Sequence, residues 1–208
     1  MTAAEDARRI VRDGYNAVAE SYLADRPRDA DDIVALEQFT ARVRAGGSVL
    51  DLGCGAGIPV TQRLDRAGYD VAGLDFSMTQ LRLAFDKVRV SLAQGDMTAL
   101  PFRAGSFDGV VAYYSIIHVP RDEHFTIATE IRRVLVGAGH ALVVLGAGDV
   151  PVDHDEDSWF GVPMYWSHYD AETNLELLSE AGFAVEWSEI IQDPMGHGRH
   201  LFALVRSS

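Results

Sequence analysis

The chain has 208 residues, with 31 acidic side chains against 18 lysines and arginines and a formal net charge of −13 at pH 7. Its length suits one domain with its own core, and a hydrophobic share of 48% excludes a disordered or fibrous chain. The acidic excess repels phosphate backbones and anionic lipid surfaces, so neither nucleic acid nor a membrane is an expected partner. No apolar run approaches the ~20 residues of a membrane span, and no apolar leader is expected at the start.

Cys54 is the only cysteine. A single cysteine excludes an intrachain disulfide and a cysteine-based zinc site. This usage suits a reducing compartment, so we expect a cytoplasmic protein that binds no metal. The oligomeric state does not follow from composition.

Two helices are predicted at the start, over 5–25 and 30–44, because apolar residues recur there at three- and four-residue spacing, with a break near Pro27. Short apolar runs then alternate with helix-like stretches, which is typical of parallel βαβ units in a sheet covered on both faces. The sequence therefore predicts a doubly wound α/β fold. Its strands are expected at 48–52, 69–74, 90–93, 109–113 and 141–145, with helices near 58–67, 77–88 and 121–135.

The regular alternation stops at residue 146. Residues 146–169 combine glycines, prolines, an acidic cluster and large aromatic side chains without a clear period, so an irregular, mobile loop is predicted. A helix is predicted to follow Asp170, whose side chain suits an N-cap, and to end near Gly182. Two further strands, over 183–191 and 200–206, bring the predicted sheet to seven strands.

The most informative segment is a glycine-rich turn after the first predicted strand. Asp51 lies near the end of that strand, and glycines follow at alternate positions, Gly53, Gly55 and Gly57. Glycine permits a positive φ and lets a ligand lie against the backbone. A plain strand-to-helix connection is the alternative, but it needs neither three spaced glycines nor the acidic residue. The turn is therefore predicted to hold a ligand.

Two common nucleotide-binding patterns do not fit this turn. The dinucleotide pattern Gly-x-Gly-x-x-Gly requires a glycine where the chain has Ile58 or Val60. The phosphate loop Gly-x-x-x-x-Gly-Lys-Ser/Thr is also absent from the sequence. A nucleotide-dependent oxidoreductase is therefore disfavoured.

Four segments, in order, resemble those of the class I S-adenosylmethionine-dependent methyltransferases, and among them the small-molecule type. They are the glycine turn with Asp51, Asp75 at the end of strand two, Gly95-Asp96-Met97, and Phe107-Asp108-Gly109-Val110-Val111 running into Tyr113, Tyr114 and His118. The resemblance covers residues 49–120. It implies a mostly parallel, seven-stranded Rossmann-like sheet that binds S-adenosylmethionine, with N-terminal helices and a lid insertion after strand five.

The resemblance also implies roles for particular side chains. Asp75 would accept hydrogen bonds from the ribose hydroxyls, and Asp96 would bind the adenine amino group. The segment from Tyr15 to Tyr22 resembles the family's N-terminal helix that folds over the cofactor. The implied cofactor-binding residues are Tyr15, Tyr22, Asp51, Gly53, Cys54, Gly55, Gly57, Asp75, Phe76, Met78, Asp96, Met97 and Tyr113.

Each of these residues also has a purely structural interpretation. Asp75 suits the cap of the following helix, Asp96 suits a turn, and Cys54 suits a small filler in the loop. The apolar residues suit a core. Tyr15 and Tyr22 lie on one helical face, where they suit a core stripe.

The implied reaction is in-line transfer of the sulfonium methyl group to oxygen or nitrogen of a small organic molecule, with S-adenosylhomocysteine as product. Because this methyl group is already activated, the protein mainly positions the acceptor and excludes water. A general base is needed only where the acceptor must lose a proton. The candidate bases are His118 and His168, with His197 and His200 ranked below them.

The segment 146–169 is the expected acceptor lid. Its aromatic side chains offer apolar surface with polar tips, and Trp159, Tyr165 and Trp166 are the predicted acceptor-binding residues. The acidic residues of the lid are expected to be solvated rather than to bind a metal; they are Asp153, Asp155, Glu156 and Asp157.

The resemblance implies one class I methyltransferase domain over 1–208. Its expected parts are a helical cap (1–45), a cofactor-binding core (46–145), the lid (146–169), and a C-terminal helix with strands (170–208). A protein or RNA methyltransferase and a non-catalytic S-adenosylmethionine-binding module remain alternatives to a small-molecule enzyme.

Overall fold

The computed structural model describes residues 3–27, 31–196 and 198–208, with only the backbone of Asp31 and of 153–158. The chain opens with helix α1 (Ala3–Asp25), followed by a 3₁₀ turn (Asp31–Ile33) and helix α2 (Val34–Thr40). The predicted helix over 30–44 is thus shorter than expected. Beyond Thr40 the chain turns back towards the sheet, with amide hydrogen bonds to the carbonyl oxygens of Phe39 and Arg44.

Nine strands follow in the part of the chain that the structure describes. They are β1 (Ser48–Leu52), β2 (Asp70–Asp75), β3 (Ser91–Gln94), β4 (Phe107–Ala112), β5 (Leu135–Gly146), β6 (Val150–Trp159), β7 (Val162–His168), β8 (Phe183–Gln192) and β9 (Arg199–Ser207). Seven of them form one sheet in the order β3-β2-β1-β4-β5-β9-β8. Strands β1 to β5 pair in parallel, whereas β9 pairs antiparallel with both β5 and β8. The prediction of a mostly parallel seven-stranded sheet is confirmed.

The connecting helices are α3 (Val60–Arg66), α4 (Met78–Phe85), α5 (His124–Val134) and α6 (Ala171–Glu180). Asp170 caps α6 as predicted, since its Oδ1 accepts a 2.9 Å hydrogen bond from the Thr173 amide. Gly182 follows the end of α6 with a φ of +90°. Within the described ranges, no helix combines the length and apolar character that crossing a membrane requires.

The sheet is buried on both faces, and β1 illustrates why its sequence is so apolar. Leu50 and Leu52 pack on the side of α5 and α6, whereas Val49 packs on the side of α2 and α3. Alternate residues of a strand point to opposite faces, so a strand covered on both sides needs apolar residues at successive positions.

The chain order reverses between β1 and β4. Strand β1 is continued to one side by β2 and β3 and to the other by β4 and β5. In open α/β sheets, such a reversal leaves a crevice at the carboxyl ends of the central strands. The glycine turn after β1 and the residues after β4 meet at this crevice.

The prediction of an irregular loop over 146–169 is wrong. This segment contains an antiparallel hairpin of β6 and β7, in which Trp159 pairs with Val162. The two residues between them, Phe160 and Gly161, have φ values of +54° and +75°. A positive φ at both central positions gives a tight turn that matches the twist of a two-stranded ribbon. Helix α1 packs on β7, where Gly14 leaves room for Met164.

Candidate active site

The glycine turn after β1 is fixed between the ends of β2 and β4. The amides of Gly53 and Cys54 donate to the Leu74 carbonyl oxygen at 2.7 and 3.0 Å. Gly53 has a φ of +80°, and a Cβ added there would lie 2.3 Å from the Cβ of Ser115, just after β4. Position 53 therefore requires glycine for both its backbone angle and its packing.

Asp75, at the end of β2, holds the far side of the turn. Its Oδ2 accepts from the Gly55 amide and its Oδ1 from the Ser77 amide, both at 2.8 Å. Burial raises the pKa of Asp75, although these amide hydrogen bonds oppose the shift. A carboxylate oxygen has two acceptor sites, so each oxygen can still accept a hydrogen bond from a ligand.

The side chain of Gln80, in the first turns of α4, is a polar group without a partner. It is buried, and neither amide atom has a hydrogen bond with any residue that the structure describes. A Cβ added at Gly55 would meet only the Gln80 Oε1 within 4 Å, at 3.8 Å. Leaving a buried polar group unpaired costs about 1–3 kcal/mol, so this amide suits contact with a bound molecule.

These groups line a cavity with an open volume of about 950 Å³, solvent at its mouth included. We call it the first chamber. The structure brings most of the predicted cofactor-binding residues into its wall, together with one predicted base. Those residues are Tyr15, Tyr22, Asp51, Gly53, Cys54, Gly55, Asp75, Phe76, Met97, Tyr113 and His118.

Three predicted cofactor-binding residues lie outside this lining. Gly57 has a φ of +77°, and a Cβ there would press on Val88 at 3.1 Å, so this glycine serves the packing of the turn. Met78 begins α4 and is exposed. The carboxylate of Asp96 is bound by Arg8, whose Nε lies 2.6 Å away, and by Thr98. The roles predicted for these residues remain predictions.

A second cavity of about 870 Å³ adjoins the first, and we call it the second chamber. The predicted residues Trp159, Trp166 and His168 line only this chamber. The side chain of Tyr165 is buried and does not line it, although its carbonyl oxygen faces His118. Both chambers share one wall, formed by Tyr15, Tyr22, Arg26, Tyr114 and His118.

His118 is held within this shared wall through both ring nitrogens. Its Nδ1 lies 2.9 Å from the Tyr165 carbonyl oxygen, and its Nε2 lies 2.9 Å from the Tyr15 hydroxyl. A carbonyl only accepts, so Nδ1 carries the proton and Nε2 of the neutral ring accepts from Tyr15. Burial raises the pKa of Tyr15 well above its usual value, which keeps this hydroxyl protonated as the donor.

The other predicted groups are placed less centrally. His168 Nδ1 lies 2.7 Å from the Gly148 carbonyl oxygen, and burial lowers the pKa of this histidine. His197 lies outside the described residues, and so do the side chains of the acidic lid residues Asp153, Asp155, Glu156 and Asp157.

Arg26, which the sequence does not indicate as a site residue, lies in the shared wall. Its Nη2 contacts Asp32 Oδ2 at 2.9 Å, both side chains are buried, and the guanidinium carbon lies 4.5 Å from the centre of the Tyr114 ring. The adjacent Tyr113 hydroxyl donates to the Asp32 carbonyl oxygen. Arg26 lies one residue beyond α1, where no local pattern indicates its burial.

Asp51 is a buried acid at the floor of the first chamber. Its exposed fraction is 1%, and its Oδ2 accepts a 2.5 Å hydrogen bond from the Thr61 hydroxyl. Burial raises the pKa of Asp51 to about 7; nearby Asp75 acts in the same direction, and the hydrogen bonds from Thr61 oppose it.

Comparisons with known proteins place this site in a family. A family model for a methyltransferase domain matches residues 49–139. The methyltransferase GfsG of Streptomyces halstedii is 38% identical over 109 residues, which are 49% of this chain and 38% of that protein. The O-methyltransferase resE of Aspergillus sclerotiorum is 30% identical over 176 residues, which are 76% of this chain and 65% of that protein.

Residues 49–139 of this chain form a methyltransferase domain of the class I S-adenosylmethionine-dependent type. The chain's matches span less than two thirds of the length of these two relatives. A solved structure with the same fold is the Burkholderia thailandensis 1,6-didemethyltoxoflavin-N1-methyltransferase, with bound 1,6-didemethyltoxoflavin and S-adenosylhomocysteine. The alignment has a TM-score of 0.77 at 18% identity and covers 100% of this chain and 92% of that one.

The first chamber fits the family's cofactor, S-adenosylmethionine. The glycine turn leaves space above Gly55, the Asp75 carboxylate retains acceptor sites for ribose hydroxyls, and the buried Gln80 amide lacks a partner within the described chain. Met97 and Phe76 supply apolar surface in the same wall, as expected beside an adenine ring.

Replacement of Asp75 by asparagine tests this fit. Asp75→Asn directs an NH₂ group at the Gly55 or Ser77 amide and removes the charge, so we expect S-adenosylhomocysteine to bind roughly 10- to 100-fold more weakly, equivalent to about 1.5–3 kcal/mol. Calorimetry on the full chain measures the affinity. Asp70→Asn, at the exposed other end of β2, is the control and should bind normally. Unchanged affinity in Asp75→Asn would contradict the assignment.

The pH dependence of stability tests the buried state of Asp51. Because folding raises the pKa of Asp51 from its ordinary value of 3.8 to about 7, its contribution to stability is complete at low pH and is lost as pH rises through 7. Asp51→Asn should abolish this loss, which is on the order of 4 kcal/mol. Urea unfolding of both proteins between pH 4 and pH 8 measures it. Asp75 is present in both proteins, so the difference between their slopes reports Asp51 together with its electrostatic coupling to Asp75. Equal slopes would refute the prediction.

Proposed function

We propose that this chain transfers a methyl group from S-adenosylmethionine to oxygen or nitrogen of a small organic molecule. The observation that carries the proposal is the pair of adjoining chambers with one shared wall. A transfer reaction needs a donor site and an acceptor site that meet at the transferred group. In this proposal the first chamber holds the cofactor and the second holds the acceptor.

The bound cofactor would supply a methyl group already activated on a sulfonium. The chain's own residues then position the acceptor and exclude water. Tyr15 and Tyr22 of α1 pack against Trp159 of the hairpin, with ring centroids 4.8 and 5.4 Å apart. Helix α1 and the hairpin thereby cover the shared wall together, which supports a closed site.

The proposed domain organisation consists of a core, the segments that cover it, and a C-terminal part. Residues 1–45 and 146–169 cover the core of 46–145, and 170–208 complete the sheet. Trp159 and Trp166 line the acceptor chamber in this proposal, and His118 orients the wall through Tyr15. Tyr165 contributes its carbonyl oxygen to His118 rather than a side chain to the acceptor.

Several observations favour a small acceptor over a macromolecule. The second chamber is partly enclosed by aromatic side chains, which suits a flat organic molecule. The net charge of −13 opposes RNA. The Aspergillus relative is named an O-methyltransferase and the Burkholderia protein an N1-methyltransferase, which supports transfer to oxygen or nitrogen.

Ligand binding and turnover test the proposal. We expect calorimetry to detect S-adenosylmethionine and S-adenosylhomocysteine but not NAD. Incubation with S-adenosylmethionine and a panel of phenols, amines and nitrogen heterocycles should release S-adenosylhomocysteine. Release only with RNA or protein would contradict the acceptor class, and cofactor binding without release in any arm would indicate a non-catalytic module.

Truncation of the aromatic side chains tests the acceptor chamber. Trp159→Ala and Trp166→Ala remove ring contacts of about 1 kcal/mol or more each, so the KM for the acceptor should rise about 10-fold. Affinity for S-adenosylhomocysteine should persist, most clearly in Trp166→Ala, because Trp159 also contacts Tyr15. Trp187→Ala, on β8 outside both chambers, is the matched control. Loss of cofactor affinity together with turnover in Trp166→Ala would count against two separate sites.

A further inference from the structure

The three histidines of the second chamber differ in what their ring nitrogens contact. His118 is bonded through both nitrogens, to Tyr15 and Tyr165, and His168 is bonded through Nδ1 to the Gly148 carbonyl oxygen. His200, at the start of β9, is 5% exposed, and neither nitrogen has a hydrogen bond with any residue the structure describes. A buried imidazole normally has a hydrogen-bond partner.

An aspartate stands beside this histidine. Asp193 Oδ2 lies 3.6 Å from His200 Nε2, which is too long for a hydrogen bond but close enough for strong attraction to an imidazolium. The Met195 amide donates to Asp193 Oδ1 at 2.7 Å and fixes the carboxylate. Burial raises the pKa of Asp193, but His200, the Met195 amide and Arg26 outweigh it, so the group stays ionised.

We propose that His200 and Asp193 form the acceptor-binding pair of the second chamber and receive an aromatic hydroxyl, a phenol, whose proton passes to His200. The inference rests on the proposed function and names its acceptor class. Tyr114 connects the pair to the methyl donor site, since its ring lies 5.0 Å from the His200 ring and lines both chambers.

The other groups around His200 favour an acidic hydroxyl over an amine. Apart from His200, Asp193 and the two tyrosines of α1, four titratable or charged residues of the described chain line the second chamber. They are Arg26, Tyr114, His118 and His168. The Arg26 guanidinium repels a protonated amine and attracts an oxygen that becomes negative. An imidazole removes the proton of a phenol far more readily than that of an aliphatic alcohol. Trp159 and Trp166 supply ring surface for the rest of the molecule.

The proposed step transfers one methyl group and one proton. The phenol oxygen forms a bond to the methyl carbon while the carbon–sulfur bond of the sulfonium breaks, with its electron pair remaining on sulfur. The phenol proton moves to a ring nitrogen of His200, and the positive charge gained by the ring is offset by Asp193. The proton leaves to solvent when the methyl ether departs.

Binding of 4-nitrophenol to the full chain loaded with S-adenosylhomocysteine tests the pair. The ionised form of this probe absorbs at longer wavelength, and its methyl ether, 4-nitroanisole, has no proton to give. We expect the wild type to bind 4-nitrophenol more tightly than 4-nitroanisole and to hold it ionised at a pH where the free probe is neutral.

Three variants test whether His200 and Asp193 are the residues that bind and ionise the probe. His200→Gln should bind 4-nitrophenol at least 10-fold more weakly and lose the preference over 4-nitroanisole. Asp193→Asn should move ionisation of the bound probe to higher pH. His140→Gln is the matched control, because His140 lies 3.5 Å from Glu186 outside both chambers, and it should behave as wild type.

In every variant, binding of S-adenosylhomocysteine shows that the chain is folded and that the cofactor site of the proposed function is intact. A wild type that fails to bind S-adenosylhomocysteine would overturn the proposed function itself. A wild type that binds S-adenosylhomocysteine but shows no preference for 4-nitrophenol would overturn the pair. A preference that survives in folded His200→Gln would overturn it as well.

Discussion

The hydrogen bond between the Tyr15 hydroxyl and His118 Nε2 joins two parts of the molecule that are far apart in sequence. Tyr15 belongs to the N-terminal helix, and His118 follows the central strand β4. Both residues line both chambers, so this contact is the partition between them. A second bond, from His118 Nδ1 to the Tyr165 carbonyl oxygen, extends the connection to the hairpin. One imidazole thus fixes where helix, sheet and hairpin meet.

The partition matters because the sheet alone supplies only half of the cleft. The glycine turn follows β1, Asp75 ends β2 and Gln80 lies in α4. Together they form the floor of the first chamber. Tyr22 and Arg26 come from the end of α1 and the residue beyond it. Buried Arg26 is compensated by Asp32, and removing one member of such a pair leaves an unpaired buried charge at a cost of about 3–5 kcal/mol. The end of α1 is therefore held over the first chamber by polar interactions as well as by apolar contacts.

The sequence predicts well the features that depend on local pattern. Apolar runs predict the parallel strands, and the residue type at position 170 predicts the helix cap. Gly53 and Gly55 predict the glycine turn, and the structure confirms that both have a positive φ. The hairpin escaped prediction because its turn uses Phe160 at positive φ, which residue preferences disfavour. Gln80 and Arg26 escaped it because what buries them is contributed by distant parts of the chain.

Within the proposed function, the acidic groups of the first chamber interact differently with the charged methyl donor and the uncharged product. Asp51 and Asp75 both face the first chamber, and burial opposes ionisation of each. A cation in this chamber favours the ionised carboxylates, because the charge attraction offsets part of the desolvation. The sulfonium of the methyl donor carries such a charge, and the thioether that remains after transfer does not. Within the proposed function, these two buried acids would attract the donor more than the product, which would favour exchange of one for the other after each transfer.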